Sequence, residues 1–144
     1  MNKLPEWQRL LHEFLSDNKN RDFEWGSWDC CKMADSAMRA ISGEPVIPDE
    51  LDWHDEISAM KAISEYGGTL KESIEKAAKE KGLIPIDLNH IQAGDLCVFL
   101  SDNKEVAGLC DGFAALSPTD GGFAFNAIDT VEAAWRIPDV GEIQ

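Results

Sequence analysis

Apolar residues Leu4, Trp7, Leu10, Leu11, Phe14 and Leu15 recur at steps of three and four, the period of one helix face, which predicts an amphipathic helix over residues 5–17. Pro5 suits a first-turn position. The polar run from Ser16 to Asp22 reads as a loop, and Phe23-Glu24-Trp25-Gly26-Ser27-Trp28 as an aromatic turn around a glycine. Asp29 then has the side chain of a helix N-cap, and Cys30, Met33, Ala34, Ala37, Met38 and Ile41 follow the i, i+3, i+4, i+7 template until Gly43 stops the helix. Cys31 falls off this stripe and faces elsewhere.

Residues 44–53 hold Pro45 and Pro48 and read as an irregular excursion. A third helix is expected from about Asp55 to Tyr66, with Ile57, Met60 and Ile63 on one side and Gly67-Gly68 as its stop. Thr69 and Glu72 form a capping-box pattern that opens a fourth helix ending at Lys81-Gly82. After Pro85 the period changes from that of helices to that of strands. Asp95 to Leu100 is an apolar strand run, Ser101 to Lys104 is turn chemistry, and Val106 to Cys110 returns as the hairpin partner. Further short strands are expected at 113–116, 123–126 and 134–137, and a loosely held tail from Pro138 to Gln144. Helices first and a meander of short strands afterwards make an α+β fold, N-terminal helices packed on a small antiparallel sheet.

With 144 residues, 44% of them apolar, the chain closes one core, so a single domain over 1–144 with its core at about 5–137 is expected. Charge narrows the partners. Twenty-seven acidic residues against 13 basic ones leave a net of −14, a field that repels phosphate backbones and anionic lipid, and that gains nothing from anionic murein. The acidity fits a protein partner or plain solubility. No stretch approaches the roughly 20 apolar residues that span a bilayer, so no membrane insertion is expected. The first residues, Met1-Asn2-Lys3-Leu4-Pro5-Glu6, lack the apolar core of a signal peptide, which places the chain in a cytoplasm unless a larger particle carries it out. Cys30, Cys31, Cys97 and Cys110 follow neither disulfide-framework nor zinc spacing; they read as free thiols, with no metal and no cofactor expected.

Candidate chemistry concentrates in Trp25-Gly26-Ser27-Trp28-Asp29-Cys30. A cysteine in the first turn of a helix meets unpaired backbone N–H groups and the positive end of the dipole, which stabilise a thiolate. On chemistry alone the same residue reads more readily as a small apolar side chain heading a core stripe. On alternating strand faces Val106, Gly108 and Cys110 lie together. A hairpin centred on Asn103-Lys104 sets Cys97 opposite Cys110 on that face. Phe23, Trp25 and Trp28 read as core and loop packing in preference to a sugar platform.

Asp-Cys opening a helix, then Ala93-Gly94-Asp95-Leu96-Cys97-Val98-Phe99 starting a strand, then a second strand running into Gly112, resembles the NlpC-type cell-wall peptidases of the papain-like clan. Phe23-Glu24-Trp25-Gly26 and Ala133-Ala134-Trp135-Arg136-Ile137 resemble, more narrowly, a relative encoded in phages and prophages near tail genes. The resemblance implies a papain-like, NlpC-like fold, with Cys30 as the nucleophile position and Asp29, Val106, Cys97 and Cys110 as neighbours of a vestigial site; it also implies that the shared strand face looks toward the second helix, which gathers Cys30, Cys97 and Cys110 in one apolar pocket, as packed thiols in preference to a metal site. In the active peptidases the second strand begins with a catalytic histidine, followed by a small residue and glycine. Val106-Ala107-Gly108 puts valine there, and valine is neither base nor imidazolium partner.

Three histidines remain. His12 reads as solvated on the first helix, His54 as a capping or surface residue, and His90 as a loop residue before the first strand; no spacing argument brings any of them to Cys30. The expectation is a phage or prophage tail-associated structural or assembly protein without Cys-His turnover. The resemblance implies tail-tip or tail-hub proteins as partners, the host bacterial cytoplasm as the site of assembly and the virion tail as the destination. The alternative is a cysteine peptidase or amidase that uses Cys30 on murein peptides during DNA entry, with murein a partner only in that case.

Overall fold

The computed structural model describes residues 1–139. Four helices come first: α1 (Trp7–Asn18), α2 (Cys30–Ser42), α3 (Glu56–Tyr66) and α4 (Leu70–Glu80). Six strands follow: β1 (Ile84–Ile86), β2 (Leu96–Ser101), β3 (Lys104–Cys110), β4 (Ala114–Thr119), β5 (Gly122–Ala127) and β6 (Val131–Arg136). All pairings are antiparallel, in the spatial order β1-β6-β2-β3-β4-β5. The meander from β2 to β5 is thus joined by β6, which returns to the far side of β2. This is the α+β arrangement expected from the change of period; β1, three residues paired with β6, is too short to give a strand signal. The expected loose tail lies mostly at residues 140–144, outside the described residues, while the Pro138 carbonyl accepts the Lys3 N–H at 2.9 Å.

Local chemistry fixes the helix boundaries. Asp29 caps α2 through the Lys32 N–H, and Gly43 ends the helix at φ +82°, a left-handed conformation that costs glycine little. Asp55 with Ser58, and Thr69 with Glu72, form reciprocal capping boxes on α3 and α4. The core lies between α2 and one face of the sheet. Met33, Ala34, Ala37, Met38 and Ile41 of α2 pack with Leu96, Val98, Ala107 and Leu109, each fully buried large side chain contributing about 1.5–3 kcal/mol. α2 is therefore the central helix and its first turn is held against β3.

Two expectations are corrected. The hairpin is centred on Asp102-Asn103, both at positive φ (51° and 63°), the two-residue turn that Asp and Asn tolerate and that matches strand twist. The register therefore sets Cys97 opposite Gly108, not opposite Cys110. Secondly, Cys97 and Cys110 pack with Phe99, Ala115, Val131 and Ala134 in a second cluster, apart from the α2 core that contains Cys30 and Cys31. Alternation along β2 and β3 sends these two thiols to the sheet face away from α2, so no three-thiol pocket forms. On α3, Ile57 is 80% and Met60 62% exposed, while Ala59 is buried and Ala62, Ile63 and Tyr66 pack partly buried against the core.

Candidate functional site

Asp29 is 1% exposed and organises three segments at once. Its Oδ1 accepts the Lys32 N–H at 3.0 Å, and its Oδ2 accepts the Gly26 N–H at 2.9 Å and the Trp53 indole N–H at 2.6 Å. The aromatic loop, the start of α2 and the end of the proline-containing excursion are thus tied to one carboxylate. Gly26, at φ +84°, lets the loop close against that excursion: a Cβ there would lie 2.7 Å from the Trp53 carbonyl oxygen. Lys32 Nζ sits 4.5 Å above the Trp53 ring, adding a cation–π contact to the same junction.

Cys30 is the first residue of α2, and its neighbour Cys31 is the more buried of the two, reversing the faces expected for this pair. The Cys30 sulfur accepts hydrogen bonds from the Cys31 thiol and from the backbone N–H groups of Ala107 and Cys31, which together hold its pKa below the ordinary 9.0 against burial and the nearby Asp29 charge. Cys31 is pushed well above 9.0, because it donates to Cys30 and is desolvated. Of the two, Cys30 is the more acidic thiol and Cys31 the less acidic one. Cys97 is likewise pushed well above 9.0 by its hydrogen bond with Cys110 and by burial; it is a packed thiol.

Cys30 opens into a cleft of about 710 Å³, within the size range of small-ligand and peptide side-chain pockets. Its walls include Phe23, Trp25, Met60, Ile63, Val106 and Pro118, and Glu56, Lys104 and Glu105 stand at its polar edge. The structure thus brings Val106 and Cys30 to one cavity, with Asp29 beside them, while Val106 also packs against the Phe99 cluster. No histidine is among the lining residues. The His54 ring, 84% exposed, lies 3.5 Å from Asp55 and from the Ser58 hydroxyl, and His12 and His90 are exposed. Among the described residues no group of three or more His, Cys, Asp or Glu side chains is arranged to hold a metal ion, and no helix is long and apolar enough to cross a membrane.

Sequence reasoning missed two parts of this region. Trp53 completes the Asp29 junction from 24 residues away, and no local pattern announces such a contact. Asp95, 0% exposed, receives Arg136 through two bonds of 2.8 and 2.9 Å, locking β6 beside β2; the only hint was that both residues sat in the recognised segments. Compared with known families, residues 2–137 match the model of a domain of unknown function (DUF6950), so the chain belongs to that family. No curated protein matches the chain.

Proposed function

We propose that this DUF6950 protein is a phage or prophage tail-associated structural or assembly protein of papain-like, NlpC-like descent, whose Cys30 cleft holds a partner and does not hydrolyse peptides through a Cys-His pair. The observation that carries this reading is the content of the cleft: a first-turn cysteine and Val106 share it, and no imidazole lines it. A thiolate alone can attack a carbonyl, but releasing an amine requires a proton donor within reach. The net charge of −14 supports association with protein over nucleic acid. Tail-tip or tail-hub proteins are the partners in this reading, met in the host bacterial cytoplasm and retained in the virion tail. Complementation tests it. Particles lacking the protein are supplied with the Cys30→Ala form, and infectious yield equal to wild type is expected; folded, incorporated but non-infectious particles would refute the structural role.

A second reading is favoured by one observation, the place of Cys30 in the first turn of α2 at the cleft, where its pKa is held below the ordinary 9.0. In that case Cys30 is the nucleophile of a cysteine peptidase or amidase acting on murein peptides during DNA entry. Cleavage of muropeptides by wild-type protein, abolished in Cys30→Ala, would establish it in place of the first.

A further inference from the structure

Large apolar side chains of α3 and of the aromatic loop are left open at the cleft or beside it. Met60 lines it, Ile57 stands one turn earlier on α3 at 80% exposure, and Trp25, 39% exposed, lines it from the aromatic loop. Large apolar side chains held open beside a cavity cost solubility, so a surface of this kind marks a contact made with something else. The electrostatics select that contact. The lining includes two carboxylates, Glu56 and Glu105, against one cation, Lys104, leaving a net negative edge on a chain whose net charge is −14. A second copy carries the same charge and is repelled, and an anionic murein stem gains nothing.

We propose that the Cys30 cleft receives a large apolar side chain from a cationic peptide segment of a partner protein. The apolar anchor fills the space between Met60, Trp25 and Val106 while the flanking cations meet Glu56 and Glu105. This rests on the assembly reading and names the chemistry of its partner; the anchor lies over the Cys30 sulfur without bonding to it.

The bound anchor shields that sulfur, so the rate of Cys30 alkylation by N-ethylmaleimide reports occupancy. Acetyl-Lys-Lys-Phe-Lys-Lys-amide, tested up to about 1 mM, the weak end of specific recognition, is expected to slow alkylation about tenfold. The same peptide with alanine in place of phenylalanine, and the all-glutamate peptide around phenylalanine, should not. Ile57→Lys with Met60→Lys, both on exposed positions, should abolish protection, and Phe113→Ser, at an 88% exposed site outside the cleft lining, should leave it intact. Equal protection by the glutamate peptide or by a murein stem peptide overturns the proposal, as does no protection by any peptide, or a dimer in sedimentation that buries Cys30 unaided. Normal infection by particles lacking the protein would remove the tail reading and leave a positive peptide result standing; absent protection would remove the cleft inference and leave the tail reading standing.

Discussion

The indole N–H of Trp53 donates to the Asp29 carboxylate at 2.6 Å, across 24 residues of chain, and the same carboxylate caps the helix that carries Cys30. Asp29→Ala removes the cap, worth about 0.5–2 kcal/mol, and strands the Trp53 and Gly26 donors, each costing about 1–3 kcal/mol when buried and unpaired. A loss of about 3 kcal/mol is expected in denaturant unfolding. Trp53→Phe leaves the cap and the Gly26 bond in place, so its loss from the missing hydrogen bond should be smaller, and a larger loss than in Asp29→Ala would contradict the role given to this carboxylate.

Cys30 should be the one rapidly alkylated cysteine. Its folded pKa lies below 9.0 while that of Cys31 lies well above it; the nucleophile is the thiolate, so the pH profile of iodoacetamide labelling should have its midpoint below 9.0. Asp29→Asn deletes a charge that raises the Cys30 pKa, and its midpoint should move lower still. Peptide mapping after a short pulse at neutral pH identifies the labelled residue. Equal labelling of Cys97, which is 0% exposed, would show that the second cluster is open.

The single tyrosine of the sequence offers a clean titration. Burial and the hydrogen bond to Glu80, which accepts from the Tyr66 hydroxyl at 3.2 Å, raise Tyr66 from 10.0 to about 12. The folded-state pKa is the higher one, so this contribution to stability is complete below pH 10 and is lost as the pH rises toward 12. Absorbance at the phenolate band should therefore titrate late, and Glu80→Gln should bring the midpoint down toward 10.

Arg136 and Asp95 join the last strand to the middle of the sheet. Arg136→Met leaves a fully buried carboxylate without its cation, a change that costs about 3–5 kcal/mol. Thermal unfolding should show that loss, and it should be largely recovered in the double variant Arg136→Met, Asp95→Asn, which removes the buried charge as well.

Sequence alone determined the parts of this protein that rest on short-range chemistry. Asp29, Thr69 and Gly43 mark helix ends because capping and left-handed glycine are local, and the α2 stripe from Met33 to Ile41 is buried because a strongly periodic face has one way to be covered. The change from helices to an antiparallel meander was legible for the same reason. Tertiary structure decided the rest. Cys30 and Cys31 are both apolar enough for a core, and only the approach of β3, which brings the Ala107 N–H to the Cys30 sulfur, settled which thiol is held as an acceptor. α3 carries a helical period, but which face is covered depends on what packs against it, and Ile57 was left exposed and Met60 at the cleft. Strand parity placed Cys97 and Cys110 on a shared face correctly; it could not say which face looks at α2, because both faces of this sheet are apolar and both are covered.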